Sequence, residues 1–231
     1  MNILALDTSM GACSAALLRS AARAQRLITR HELMERGHAE SLMPMVAAVM
    51  AEAEQDFADL DLIVATVGPG SFTGVRIAIS AARGFALVTK AKLWGTDSLT
   101  VMAAEASAAD VTQGSDAPLA VAVDARRDMI YFGLFGADGQ RREGPLLLTP
   151  QDASLLLPSD LRIVVGSGAT LLTEAANAHG RSIEATLIEL QPRAAALAEL
   201  ALLAHETRPV LRPLYLRPPD AKPQAQMTAR R

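Results

Sequence analysis

A carboxylate and two hydroxyl groups follow the first apolar run of the chain and could together hold a metal-bound phosphate. The run at residues 3–6 is short and apolar, and Asp7, Thr8 and Ser9 come directly after it. An aspartate after a strand also commonly caps its own turn through its side chain. Two interpretations of Asp7 therefore stay open: it helps to hold a metal-bound phosphate, or it is a local turn residue.

A second candidate is VGPGSFTGVRIAISAARG, residues 67–84, in which glycines run straight into a helical pattern. Helix N-termini after such turns bind phosphate because their first N–H groups are unpaired. However, no lysine follows a glycine at Walker spacing, and Thr73 stands where the dinucleotide motif G-x-G-x-x-G needs its third glycine. A tight turn is the alternative to phosphate binding. The candidate nucleotide-binding residues are Asp7, Thr8, Gly68 and Gly70.

The helix after these glycines carries small or apolar residues around most of its circumference. Gly74, Ala78, Ala81 and Ala82 recur at spacings of three and four, and small residues let two helices approach closely. A helix of this kind is either fully buried or covered by a partner. The pattern therefore favours a helix–helix interface over phosphate binding as the role of this stretch.

The elements that must position these residues occur twice along the chain. LALDTSMGACSAALL aligns with VAVDARRDMIYFGLF when Asp7 is placed over Asp124. Each segment is expected to form a strand, an aspartate, a short turn and a second strand. Likewise DLIVATVGPG resembles LRIVVGSGA, an apolar strand that ends in Gly-x-Gly before a helix. Two matching features in the same order indicate an internal duplication. The layout resembles the actin-like ATPase (ASKHA) superfamily and implies an α/β fold of two tandem RNase H-like lobes.

Helices and a polar boundary divide the remaining chain. One helix is expected to start near residues 39–41, because Pro44 is acceptable only in a first turn. The polar, turn-rich stretch 109–118 is a natural boundary between lobes, and the last helix is expected to have Pro192 in its first turn. The predicted domains are an N-terminal lobe (1–108), a C-terminal lobe (109–206) whose last helix, 192–206, can pack back on the first lobe, and an extended segment with a loose tail (207–231).

Composition and charge exclude several classes of protein. A net charge of −3 shows no basic excess, so a partner would have to supply most contacts to nucleic acid phosphates. The single cysteine excludes an internal disulfide and fits a reducing compartment. No charged leader precedes Asp7, and no apolar run approaches the roughly 18 residues of a membrane helix. We therefore predict a cytoplasmic protein with no membrane segment. Because no two of the four histidines are spaced i,i+4 and neither phosphate-binding motif is present, we also predict no metal site and no cofactor of its own.

Several segments together resemble the TsaB (YeaZ) family, the partner subunit in bacterial synthesis of threonylcarbamoyladenosine in tRNA. They are ILALDTSMGACSAAL, GHAESLMPMV, VGPGSFTGVRIAISAARGFAL, VAVDARRDMIYFGLF and PLYLR. The run GPGSFTGVRI is specific to TsaB and its catalytic relative TsaD. In TsaD a His-x-x-x-His pair binds the catalytic metal, whereas Ser98 and Met102 stand at the matched positions here. The resemblance therefore implies the non-catalytic member.

That resemblance implies a scaffold or activating subunit that binds TsaD, with the ATPase TsaE joining the assembly. The complex would transfer threonylcarbamoyl to adenosine 37 of tRNAs that read codons beginning with A. ATP and metal would be bound by the partner subunits, tRNA would be reached through the complex, and the isolated chain would form a homodimer. The alternative is a small-molecule kinase or ATPase of the actin-like superfamily that uses Asp7. By match to the family, the partner-contacting residues are Val75, Arg76, Ile79, Ala82, Arg83 and Ala86.

Overall fold

The computed structural model describes residues 1–21, 24–112, 114, 116–204 and 211–217. These residues form two five-stranded sheets with helices packed on both faces of each. The first sheet is formed by β1 (Asn2–Asp7), β2 (Ala12–Ala21), β3 (Ala24–Leu33), β4 (Leu62–Thr66) and β5 (Lys92–Thr96). The second is formed by β6 (Leu119–Asp124), β7 (Ile130–Phe135), β8 (Arg141–Leu148), β9 (Ile163–Val165) and β10 (Glu184–Thr186).

Both sheets have the same topology. The strand order is β3-β2-β1-β4-β5 in the first sheet, and the equivalent order β8-β7-β6-β9-β10 is found in the second. In each sheet the first three strands are antiparallel neighbours, and the last two run parallel to the first. Asp7 ends β1 and Asp124 ends β6. The predicted fold of two tandem RNase H-like, actin-like lobes is therefore confirmed.

The helices form layers around and between the two sheets. α1 and α2 cover the outer face of the first sheet, while α3 and α6 lie between the sheets. α4 and α5 cover the outer face of the second sheet. α6 follows the second lobe in sequence but packs on β1 and β2 of the first. The helices are α1 (His38–Glu52), α2 (Phe72–Thr89), α3 (Ser98–Ala108), α4 (Pro150–Ser154), α5 (Ala169–Asn177) and α6 (Ala194–Leu203), with a 3-10 turn at Phe57–Asp59.

Two helix starts differ from the prediction. α1 begins at His38, so Pro44 lies inside the helix rather than in its first turn. The exposed Pro44 removes only the helical donor to the Glu40 carbonyl, and Glu40 is itself exposed and can bond water instead. α6 begins at Ala194, two residues after Pro192, because the Ser14 hydroxyl of β2 accepts the first helical N–H at 2.9 Å.

α2 is bounded by clear local signals. Its start is capped by Ser71, whose hydroxyl accepts from the Gly74 N–H, and it ends at Lys90, which has a positive φ of 61°. By length and composition alone, this 18-residue helix is apolar enough to cross a membrane. Its inward residues pack in the first-lobe core, however, and it carries Arg76 and Arg83. The arrangement is that of a helix of the lobe core with one outward face.

Residues 211–217 form a segment that we call the C-terminal strap. Leu211 is fully buried in the first-lobe core, and the Leu214 N–H donates to the Val67 carbonyl at 2.7 Å. Arg217 then donates from Nη2 to the Arg126 carbonyl of the second lobe at 3.2 Å. The strap therefore follows the first lobe and reaches the second. The predicted loose tail, residues 219–231, lies outside the described residues, as do residues 205–210 and 218.

Candidate functional site

The carboxylate of Asp7 is buried and fully engaged by hydroxyl groups. Oδ2 accepts a 2.8 Å hydrogen bond from the Ser9 hydroxyl and a short one from the Thr66 hydroxyl. Oδ1 accepts from the Ser9 N–H at 3.4 Å. Burial raises the pKa of Asp7 to about 6, while the bonds from Thr66 and Ser9 act in the opposite direction. Asp7 thus ties the turn after β1 to the end of β4.

The glycine-rich stretch lies directly against this turn. A Cβ at Gly70 would overlap the Ser9 carbonyl oxygen, which accepts the Ser71 N–H at 2.7 Å. A Cβ at Gly74 would overlap the Thr8 carbonyl. Only glycine allows backbones to approach this closely. The glycines therefore serve contact between two chain segments rather than contact with a ligand.

The four candidate nucleotide-binding residues are brought together, but the space between them is filled. The Thr8 hydroxyl donates to the Gly74 carbonyl at 2.6 Å and accepts from the Ala78 N–H at 3.2 Å. Asp7 and Thr8 have no exposed surface, and a Cβ at Gly68 would lie 2.9 Å from the Leu214 carbonyl of the strap. A phosphate could reach Asp7 only after this packing opened. The geometry therefore favours the turn interpretation over that of a ligand-binding site.

The equivalent turn of the second lobe is more open. Asp124 accepts from the Arg126 N–H at 2.7 Å and pairs with the Arg126 guanidinium at 3.3 Å. Both residues line a cleft of about 690 Å³ between the lobes, which Gly70 and Ser71 border on the first-lobe side. The sequence did not indicate this cleft, because its lining comes from several separate segments of both lobes.

The two positions that match the metal-binding histidines of TsaD have structural roles here. The Ser98 hydroxyl donates to the Pro69 carbonyl, and Met102 is fully buried between α3 and the second sheet. Within the described ranges, no group of three His, Cys, Asp or Glu residues is close enough to hold a metal ion.

The predicted interface residues divide between two faces of α2, and this corrects the prediction for three of them. Val75, Ile79 and Ala82 are buried in the core of their own lobe. A partner could not contact them without unfolding the lobe. Arg76 and Arg83 are exposed and Ala86 is half-buried. The small-residue pattern selected α2, and whether a partner binds there stays a prediction; the pattern did not distinguish the inward from the outward face of the helix.

The outward face of α2 also contains residues that were not among the predicted interface residues. Thr73, Ser80 and Gly84 are exposed, and Leu87 and Val88 are apolar yet 84% and 85% exposed. Positions 73, 80, 84 and 87 lie opposite the buried positions on a helical wheel, and that spacing was the available signal. α1 packs beside α2 and continues this surface. We call the combined surface the α1–α2 face. Its α1 members are the exposed apolar residues Ala39, Met43, Ala47 and Ala51, beside which Glu40 and Pro44 are also exposed.

The strap borders the α1–α2 face along one side of α2. Arg83 donates from Nη2 to the Leu211 carbonyl, and Arg76 donates from Nε to the Tyr215 hydroxyl at 2.7 Å. Phe72 stacks on Tyr215 with ring centroids 5.1 Å apart. The family segment PLYLR thus supplies the edge of this surface, a role that its extended sequence pattern did not indicate.

Comparison with known proteins agrees with this fold. The family model described as TsaD, tRNA N6-adenosine threonylcarbamoyltransferase, matches residues 24–159, more than half of the chain. The tRNA threonylcarbamoyladenosine biosynthesis protein TsaB of Haemophilus influenzae is 31% identical over 179 residues, covering 73% of this chain and 72% of that protein. An uncharacterized protein of Mycobacterium tuberculosis is 31% identical over 237 residues, covering 98% of this chain and 97% of the relative.

Solved structures show the same relationship. A Pseudomonas aeruginosa protein described as similar to peptidase YeaZ superposes with a TM-score of 0.79 at 32% identity, covering 94% of this chain and 99% of that one. YeaZ from Pseudomonas aeruginosa superposes with a TM-score of 0.73, also at 32% identity, covering 88% and 92%. The fold and its packed first turn define a duplicated actin-like protein. Within that class, the chain belongs to the TsaB family.

Proposed function

We propose that this chain is a non-catalytic subunit in tRNA threonylcarbamoyladenosine biosynthesis that binds TsaD through the α1–α2 face. Family membership supports the pathway, and the packed turn at Asp7 supports a role other than catalysis. The proposal includes TsaE as a further member of the assembly, with ATP, metal and most tRNA contacts supplied by the partner subunits. In the absence of TsaD, the same face would pair two copies of the chain.

The choice of surface rests on Gly84, a glycine inside a helix with open space around it. It lies inside α2, where glycine costs about 1 kcal/mol relative to alanine. No described atom lies within 4 Å of the position that its Cβ would take, so packing within the lobe does not require a glycine there. Close approach of a second backbone, from a partner, would require a glycine at this position. Ser80 precedes Gly84 by one turn and Leu87 follows it by one turn. These residues form a shallow groove along the helix, which we call the seam, with Leu87 as its apolar end, and an incoming helix could pack into it.

The test is the affinity of purified full-length Gly84→Trp for TsaD from the same organism, measured by calorimetry. We expect a loss of at least about tenfold, because the indole would occupy the seam that the partner backbone needs. Thr170→Trp, at an exposed position of α5 in the second lobe, is the matched control and should bind as the unmodified chain does. Equal affinity of Gly84→Trp and the control would disprove this interface.

A second measurement separates the surface from the pathway. The transferase assay with TsaD, TsaE, tRNA, ATP and threonylcarbamoyl donor components is run with and without this chain. We expect modification only when the chain is present, reduced by Gly84→Trp in proportion to its affinity. ATP turnover by the isolated chain that disappears in Asp7→Ala would instead support the kinase alternative.

A further inference from the structure

We propose that Arg76 is a preorganised carboxylate receptor that selects the partner at the rim of the α1–α2 face. The inference rests on the proposed function, because it concerns the same surface, and it adds the chemical group that the partner must present. The partner group is an aspartate or glutamate side chain that approaches beside the seam formed by Ser80 and Gly84.

Three contacts fix the Arg76 guanidinium. Its Nε donates to the Tyr215 hydroxyl at 2.7 Å. Its Cζ lies 3.8 Å from the centroid of the Phe72 ring and 5.7 Å from that of Tyr215. A long side chain normally loses rotamer freedom on binding, and a guanidinium already held in place loses less. The stack is therefore a rigid presentation of one positive charge.

The backbone that carries Tyr215 is itself anchored to the first lobe, so the strap determines where the stack lies. Leu211 anchors one end of the strap in the first-lobe core, and the Leu214 N–H bonds to the Val67 carbonyl next to Tyr215. Phe72 and Tyr215 are 52% and 42% exposed. Among the described residues they are the aromatic side chains left most open to solvent. Aromatic residues and arginine are the types that dominate protein interfaces.

The described residues offer no opposite charge to Arg76. No carboxylate of the described residues lies within ion-pair distance of it, although Arg30, Arg141 and Arg142 all have one. Within the described part of the chain, Arg76 donates a hydrogen bond only from Nε, to Tyr215, which leaves Nη1 and Nη2 for a ligand. Paired guanidinium N–H groups match the two oxygens of a carboxylate.

The surroundings favour a carboxylate of a protein over a phosphate of RNA. The adjoining seam of Thr73, Ser80 and Gly84 is small and uncharged, which suits a helix of a protein. A chain of net charge −3 also repels a polyanion at long range but tolerates a single carboxylate. The α1–α2 face thus combines a shape that accepts a helix with positive charge at its edge, from Arg76 and from Arg83, of which Arg83 donates to the Leu211 carbonyl.

The experiment measures the affinity for TsaD of full-length Arg76→Gln, Arg76→Lys and Tyr215→Phe at low and at high NaCl concentration, with thermal unfolding of each variant. We expect Arg76→Gln to bind about tenfold more weakly or worse, with a flatter salt dependence than the unmodified chain. Arg76→Lys should restore the salt dependence but only part of the affinity, because the lysine ammonium lacks the paired N–H groups of a guanidinium. Tyr215→Phe should weaken binding about threefold, because it keeps the ring and removes the hydroxyl that orients Arg76. Arg142→Gln changes net charge equally on the second lobe and should bind normally.

Three results would overturn the inference. One is an Arg76→Gln variant with unmodified affinity and salt dependence. Another is weaker binding that only parallels a lower unfolding temperature, with the salt dependence unchanged, since Arg76 would then merely hold the strap. The third is unchanged affinity for TsaD with weaker binding of tRNA to the complex, which would make the ligand a phosphate. If Gly84→Trp loses TsaD while Arg76→Gln keeps it, this inference fails alone and the proposed interface stands.

Discussion

The two Gly-x-Gly turns of this molecule occupy equivalent places in a duplicated fold, but the second turn is less tightly packed than the first. Their first glycines are alike, since Gly68 and Gly166 have φ values of +98° and +96°, a left-handed conformation that favours glycine. Their second glycines differ. A Cβ at Gly70 would overlap the Ser9 carbonyl, whereas one at Gly168 would lie 3.0 Å from the Asp124 nitrogen and the Ile130 Cγ2.

The aspartates beside these turns differ in the same direction. Asp7 is fully buried and satisfied by Ser9 and Thr66, whereas Asp124 is partly exposed and pairs with Arg126 at the interlobe cleft. The same topology therefore supports a closed structural turn in one lobe and an open turn in the other. Duplication of a fold does not preserve the chemistry that its turns can perform.

The largest expected difference concerns the second glycines. Gly70→Ala should lower the free energy of unfolding by at least about 3 kcal/mol, because its methyl group meets backbone atoms that carry a hydrogen bond and cannot move independently. Gly168→Ala should lower it by about 1 kcal/mol, since slightly wider contacts can relax. Urea denaturation of both variants measures the comparison. Equal losses would show that the two turns are equally closed.

The aspartates should give a smaller contrast. Asp7→Asn replaces an acceptor of three hydrogen bonds by a group with one acceptor atom, so we expect a loss of about 2 kcal/mol at neutral pH. Asp124→Asn keeps an exposed position and should lose no more than about 0.5 kcal/mol. The same denaturation experiment applies. A loss for Asp124→Asn that matched Asp7→Asn would contradict the open character of the second turn.

Burial of Asp7 also predicts a pH dependence of stability. Its pKa is raised from 3.8 to about 6. Between these two pH values, the folded state therefore holds a proton on Asp7 that the unfolded state has already released. This contribution to stability is fully present below pH 3.8 and is lost as pH rises through about 6. The steepest slope is about 1.4 kcal/mol per pH unit.

The measurement is the free energy of unfolding of the unmodified chain and of Asp7→Asn at intervals between pH 4 and pH 7. Subtracting the two curves removes the titration of the other groups. The difference should show the unmodified chain losing stability relative to Asp7→Asn as pH rises. A flat difference would mean that Asp7 is more exposed to water than the packed turn allows.

The sequence was sufficient for the architecture because periodicity and duplication are local signals. Asp7 and Asp124 ended their strands as the superposed segments predicted, and both Gly-x-Gly motifs preceded helices. Helix starts were less certain, since the start of α6 depends on Ser14, which lies 180 residues away in the chain. Contacts of that kind leave no periodic signal.

The candidate site was predicted only in part for the same reason. The small-residue pattern pointed to α2, but deciding that Ile79 is buried and Gly84 exposed required knowing which side of the helix faces the sheet. Arg76 gained its fixed position from Tyr215, 139 residues later in the chain. Individual residues could be named from a family motif, whereas their neighbours across the fold could not.

The smallest expected effect lies at the tip of the second turn and sharpens the comparison further. Arg126, Arg127 and Asp128 all have positive φ, whereas none of the described non-glycine residues between positions 8 and 11 does. Asp128→Gly should relieve strain at φ 58° but also increase the freedom of the unfolded chain, so stability should change by no more than about 0.5 kcal/mol. Differential scanning calorimetry measures this change. A clear gain would show that the open turn is held against conformational strain, whereas a clear loss would show that the Asp128 carboxylate stabilises it.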